Sequence, residues 1–216
     1  MNDVLIQLVP VFLVRRGALL LMCLMFQPGA PAWAAPASTP PSVPISLKLK
    51  AGVFEPPAAA PEFALQGSNG LDLKLVNYRG KLVLLLFGFT NCPEVCPTTL
   101  ATLAEARKVL GKEADAIQVV YVTVDPERDD VGRIKKYLAA FDTSFVGGTS
   151  KPPVLEAMRK RYGVVAAKLE SPNGGYGMNH STSVFLIDRV GRLRAMMPYG
   201  HSAKDFVHDL RLLAAQ

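Results

Sequence analysis

Lys81-Leu-Val-Leu-Leu-Leu-Phe87 is an unbroken apolar run between Arg79-Gly80 and Gly88, the pattern of a short strand covered on both faces. A second such run occupies 116–124. Between them, from Pro97 onward, Leu100, Leu103 and Leu110 recur at helical spacing, with proline at the start and Gly111 placed to end the helix. Residues 131–141 are amphipathic, with Ile134, Leu138 and Phe141 on one side and Arg133, Lys135 and Lys136 mostly off it. A further helix is expected over 153–162, stopped by Gly163. Ser183-Val-Phe-Leu-Ile187, the turn Asp188-Arg-Val-Gly191 and the run from Leu193 to Met197 predict a hairpin, and 203–214 a closing helix. Strands alternating with helices, finished by a hairpin and a helix, predict an α/β domain with a mixed sheet.

The pattern is different before residue 62. Arg15-Arg16 precede a short apolar block, 17–26, followed by Gln27-Pro28-Gly29 and Ala32-Trp33-Ala34-Ala35. Positive charge, apolar core and a small-x-small site make a secretory signal, with cleavage expected after Ala34. The block is shorter than the roughly 20 residues a membrane span needs. Because 4–14 is also apolar, a retained anchor covering both blocks is the alternative. Leu20-Leu-Met-Cys23 lacks the small residues expected before a lipidated cysteine. The expected organisation is signal or anchor over 1–34, a Pro/Ala-rich spacer over 35–61, and one folded domain over 62–216.

The formal net charge is +6, but the longest basic run, Met158-Arg-Lys-Arg161, reads as a solvated helix face. Nucleic-acid binding would want a basic stripe with interleaved aromatics, which is missing. Export changes the meaning of the cysteines. Of three, Cys23 falls in the signal, leaving Cys92 and Cys96 in Phe87-Gly-Phe-Thr-Asn-Cys92-Pro-Glu-Val-Cys96-Pro97. A close thiol pair after a buried strand, in an exported domain, is a redox device or a soft-metal site. Since a residue before proline is pushed out of the helical region, Cys96 is expected at the helix cap, with Cys92 in the preceding turn. Both sulfurs would then sit at the positive end of the helix dipole, which favours thiolate. The bland alternative, an inert disulfide clipping one short loop, would restrict few unfolded conformations.

Two thiolates alone make a poor specific metal site. His180, in Gly177-Met-Asn-His180-Ser-Thr-Ser, is the candidate third ligand, just before a predicted strand; a purely structural role is its alternative. His201 follows a turn, and His208 lies on the polar side of the last helix. Met178 is a soft donor two residues from His180, better suited to packing. Two thiolates and an imidazole suit copper: thiolate selects Cu(I), imidazole accepts either valence, and structural zinc normally takes four protein ligands. The site charge would be −1 with Cu(I) and zero with Cu(II).

Gly88-Phe-Thr-Asn-Cys92-Pro-Glu-Val-Cys96-Pro97, Val124-Asp-Pro-Glu-Arg-Asp129, His180 before Ser183-Val-Phe-Leu-Ile-Asp188, and Gly191-Arg-Leu-Arg194 together resemble the Sco/SenC family. The resemblance runs from about Pro61 to Leu212. It implies a thioredoxin-like fold, with a central mixed β-sheet flanked by helices, and a copper-binding role in assembling cytochrome c oxidase. Cys92, Cys96 and His180 fall on the family's three copper ligands. Asp125 falls on an acidic position near the site and takes a supporting role, either orienting His180 or shaping the turn at Pro126. Phe89 stands where the family often has tyrosine, and Asn179 where an acidic residue commonly precedes the histidine. The implied function is a periplasmic metallochaperone, soluble or anchored facing the periplasm, that passes Cu(I) or Cu(II) to the copper-bearing oxidase subunit or exchanges it with another chaperone. The alternative is a thiol-disulfide oxidoreductase that reduces the recipient's cysteines, with Cys92 and Cys96 as a redox pair able to form a disulfide. The four-residue spacing differs from Cys-x-x-Cys and so favours metal. The peroxiredoxin pattern Pro-x-x-x-Thr-x-x-Cys is missing at both cysteines.

Overall fold

The computed structural model describes residues 48–170 and 174–216. The expected export signal, its cleavage point and Cys23 lie outside the described residues. In chain order come β1 (Gly52–Ala59), β2 (Ala64–Gly67), β3 (Asp72–Lys74), β4 (Leu82–Gly88), α1 (Val95–Leu110), β5 (Ile117–Thr123) and α2 (Val131–Ala139). There follow β6 (Val146–Thr149), α3 (Pro152–Arg161), β7 (Ala166–Glu170), β8 (Tyr176–His180), β9 (Val184–Ile187), β10 (Arg192–Met197) and α4 (Ala203–Ala214). Eight strands form one sheet in the order β1-β10-β9-β4-β5-β6-β2-β3, while β7 and β8 make a separate ribbon.

β4 occupies the centre because all seven of its residues are buried. Its alternation divides the core in two. Leu82, Leu84 and Leu86 join Leu100 and Leu103 of α1, Ile134 and Leu138 of α2, and Leu210 of α4 on one face. Val83, Leu85 and Phe87 point the other way, toward Leu155 and Met158 of α3 and Phe185 of β9. A fully buried leucine contributes roughly 1.5–3 kcal/mol, so this double-sided burial places β4 in the middle. β5 runs parallel to β4, and β9 runs antiparallel on its other side. The mixed sheet, the helices on both faces and the β9–β10 hairpin agree with the sequence reading.

The stretch expected as spacer departs from it. Gly52–Ala59, Gly-Val-Phe-Glu-Pro-Pro-Ala-Ala, is strand β1, mostly exposed and paired with β10. What holds it is backbone: Gly52 pairs with Met196 and Ala59 with Arg192, with a register shift between Val53 and Ala58 where Pro56 and Pro57 sit. Just ahead of it, the buried Asp209 carboxylate of α4 accepts from the amides of Lys50 at 2.8 Å and Ala51 at 2.9 Å. A strand held this way carries no apolar period, so the folded domain begins ahead of residue 62. Among the described residues no helix is long and apolar enough to cross a membrane.

Candidate metal centre

The site stands where the parallel strands end, the usual place for chemistry in open α/β sheets. β4 stops at Gly88 and leads into the turn carrying Cys92. β5 stops at Thr123 and leads into the Asp125–Asp129 loop. Because β9 is antiparallel to β4, with Val184 opposite Leu86, the segment entering β9 arrives at the same end, bringing His180 with it.

Cys96 lies in the first turn of α1, which begins at Val95 after Glu94 as N-cap. It is therefore inside the helix and not at its cap. The conflict with Pro97 is tolerated because first-turn amides have no helical partner, so the proline removes nothing there; the first helical bond runs from the Thr98 amide to the Glu94 carbonyl, 3.1 Å. The freed Cys96 amide instead donates to Cys92 Sγ at 3.4 Å.

His180 ends a strand of its own, β8, and does not simply precede one. Its Nδ1 lies 2.8 Å from the Ser181 carbonyl. A carbonyl only accepts, so Nδ1 carries the proton and the Nε2 lone pair is left facing Cys96 Sγ, 3.6 Å away. Phe89 packs edge-on against the imidazole, ring centroids 5.8 Å apart, and fixes its plane. The donor atoms of Cys92, Cys96 and His180 all lie within 4.8 Å of one another. Three ligands bound at the lengths typical of thiolate and imidazole, roughly 2.0–2.3 Å, stand at comparable separations. The donor set fits a soft or borderline ion. Met178, in contrast, is partly buried against the core, while His201 pairs with Asp205 at 3.5 Å and His208 with Asp209 at 2.8 Å.

The two thiols are unequal. The Cys96 thiol donating to it is the largest influence on Cys92, whose pKa falls to about 5, helped by the backbone amides of Cys96 and Glu94 and by His180 against a burial penalty. The same partnership, followed by burial, pushes the Cys96 thiol far upward. The expectation that both sulfurs favour thiolate therefore holds for Cys92 alone. The half-exposed sulfur faces water and the helix amides, whereas Cys96 is only 4% exposed.

Asp125 makes no hydrogen bond to His180 itself. Its buried carboxylate accepts from Arg128 Nε and, at 2.8 Å, from the Tyr176 hydroxyl of β8, the strand that ends at His180. Its carbonyl accepts the amides of Arg128 and Asp129 and so closes the turn. Sequence reasoning missed Asp129. Fully buried, it takes the Thr90 amide at 2.9 Å, the Thr90 hydroxyl at 2.6 Å and the Thr123 hydroxyl at 2.7 Å. It thereby ties the turn that carries Cys92 to the end of β5. Arg133 adds bonds to Thr90 Oγ1, 2.7 Å, and to Asn91. Arg128, also unremarked, lies over the Tyr176 ring at 3.8 Å and reaches the Phe89 ring at 5.9 Å.

The SCO1/SenC family model matches residues 53–215. The SCO2-like protein of Rickettsia conorii is 32% identical over 154 residues, which is 69% of this chain and 74% of that protein. The copper-bound structure of Bradyrhizobium japonicum ScoI is similar with a TM-score of 0.67 at 33% identity, covering 72% of this chain and 99% of the other. The solution structure of apo Sco1 from Thermus thermophilus gives 0.69 at 33% identity, covering 78% and 99%.

Proposed function

The chain belongs to the SCO1/SenC family, and from that premise we propose that it is a copper-binding metallochaperone of the periplasm that serves the copper centre of cytochrome c oxidase. The observation that carries the proposal is the convergence of Cys92, Cys96 and His180 within 4.8 Å at the open end of the sheet. Two thiolates and a neutral imidazole accept Cu(I) at charge −1 and Cu(II) at zero, so one site serves both valences with little desolvation penalty. Copper is cargo in this reading. Cys92, already a thiolate at neutral pH, captures the ion; Cys96 gives up its proton as it binds; His180 completes the set with the lone pair that the Ser181 carbonyl directs inward. Release to the copper-bearing oxidase subunit proceeds by exchange of these ligands one at a time, Cys92, the less buried of the two cysteines, passing first. An N-terminal signal cleaved after Ala34, or the same segment retained as an anchor, delivers the domain to that compartment.

The inequality of the thiols supports a second reading, a thiol-disulfide oxidoreductase. The Cys92 thiolate attacks a disulfide of the recipient and releases one of its thiols; Cys96, losing its proton, attacks Cys92 and frees the other. The pair ends as a disulfide and the recipient as a dithiol, two electrons having moved between them. Copper loading of the reduced chain, with metal and thiols counted together, tests the first reading. One copper per chain is expected, with both thiols protected from alkylation by it. Oxidised chain should bind little and recover on reduction, and equal binding by the two forms would remove the two-thiolate site.

A further inference from the structure

Gly88 closes β4 directly beside the metal centre, and its missing side chain leaves a small space. A Cβ there would stand 2.8 Å from the Tyr121 hydroxyl and 2.9 Å from Cys96 Sγ. Phenol oxygen and sulfur thus both lie within 3 Å of one point, with no hydrogen bond yet between them. Tyr121 comes from β5, opposite Leu86 in the ladder, and its ring leans along the sheet toward the end of β4. It is 0% exposed, yet its hydroxyl oxygen has no hydrogen-bond partner. The neighbouring Tyr137 hydroxyl is likewise unpartnered, the two rings being 6.0 Å apart between centroids. A buried hydroxyl without a partner costs about 1–3 kcal/mol, and phenylalanine would fill the same volume without that penalty. The position therefore spends stability on a polar atom aimed at a candidate ligand.

We propose that Tyr121 is a positioning residue for the metal centre, its hydroxyl donating a hydrogen bond across the Gly88 gap to the Cys96 sulfur once that sulfur binds the ion as thiolate. The inference rests on the copper-site reading above. A bound thiolate is a strong acceptor, and Cys96 has no water-facing side from which to satisfy its remaining lone pairs. The bond drains electron density from the sulfur, weakens its donation to Cu(II), and holds Cys96 in its rotamer while Cys92 exchanges. Phe89, packed on His180, has no hydroxyl to offer the site.

The test is Tyr121→Phe in the full chain. Its unfolding midpoint should equal or exceed that of the wild type, since only an unpaired hydroxyl is lost. Copper stoichiometry should be unchanged, but the sulfur-to-Cu(II) charge-transfer band should move to lower energy, because the sulfur regains the electron density that the bond had withdrawn. A metal-free readout checks the other half of the proposal: the Cys96 S–H stretch of the reduced chain, assigned with Cys96→Ser, should be the same in Tyr121→Phe, because the phenol is unpaired until the thiolate forms. Gly88→Ala, whose methyl wedges between the two groups, should reproduce the charge-transfer change with the tyrosine intact. An unmoved charge-transfer band in Tyr121→Phe, or a shifted S–H stretch, would overturn the proposal. Failure of the wild type to take up copper would instead overturn the copper reading, an outcome distinct from uptake with an unmoved band.

Discussion

Cys96 Sγ and His180 Nε2 lie 3.6 Å apart although 84 residues separate them in the chain. The contact exists because a strand antiparallel to β4 must begin where β4 ends. Everything that shifts β9 along β4 therefore shifts the imidazole against the sulfur, and the centre is only as well defined as that register.

His180→Ala separates the two proposed activities. Metal binding uses the imidazole, whereas disulfide exchange uses the sulfurs and access to them. The variant should lose most of its Cu(II) affinity and change its thiolate charge-transfer spectrum, while Cu(I) persists on Cys92 and Cys96 in near-linear geometry. Its exchange rate with a model disulfide should stay within about threefold of wild type, the reaction needing no imidazole. Full oxidase assembly in cells carrying His180→Ala, with Cys92→Ser or Cys96→Ser failing, would decide for the reductase.

The unequal thiols predict a split alkylation profile in the reduced, metal-free chain. The Cys92 pKa is depressed, so its thiolate fraction grows as pH rises through about 5 and is complete at neutral pH. Modification of Cys92 should follow that midpoint, while Cys96, held protonated, stays unmodified over the same range. Cys96→Ala removes the thiol donor, and the Cys92 midpoint should climb back toward the ordinary thiol value. Peptide mapping by mass spectrometry reads both sites, and a shared midpoint for the two cysteines would contradict the asymmetry.

Asp129→Ala should be costly in two ways. Leaving the Thr90 amide and the Thr90 and Thr123 hydroxyls without their acceptor should lower stability by about 3 kcal/mol in denaturant unfolding. Copper affinity should fall as well, with the thiol count intact, because the turn bearing Cys92 is no longer fixed to β5. Asp129→Asn, which keeps one acceptor, should lie between. Wild-type copper affinity in a folded Asp129→Ala chain would deny the carboxylate its positioning role.

A shortened chain beginning at residue 62 should be markedly less stable than one beginning at residue 48. It lacks β1 and strands Asp209, fully buried, without the Lys50 and Ala51 amides. Two amide donors to a charged acceptor are lost, which costs about 3 kcal/mol or more, and His208 is left as the carboxylate's partner. If Asp209→Asn restores part of the loss in the shortened chain alone, the stranded charge is the cause; equal unfolding midpoints for the two lengths would show β1 to be dispensable.

The strongly patterned elements were legible in the sequence. β4, β5, α1 and the β9–β10 hairpin announce themselves by continuous apolar runs or by glycine and proline at their ends, and they set the central sheet. The short strands were not. β2, β3 and β6 have three or four residues each, β7 is largely exposed, and β1 is proline-rich, so none carries a period long enough to read. At the site, the cysteine pair was visible from spacing, and His180 gained its standing from family resemblance. Asp129 was not separable from Asp125 and Asp130, because three aspartates in one loop look alike until the fold decides which of them faces Thr90 and the Cys92 turn. The thiol inequality was hidden too, since it depends on which sulfur the helix covers.

The prolines of β1 bear on how this molecule can meet others. Among the described residues, β1 is the outermost strand at one side of the eight-stranded sheet, and β3, three residues long, is outermost at the other. Pro56 and Pro57 take two amides out of β1, and the irregular register there breaks its ladder. Neither rim offers a template on which a foreign strand could lengthen the sheet. An extended polypeptide is thus turned away from these sides. Encounters are channelled to the loop end, where Cys92 is the first reactive atom they meet.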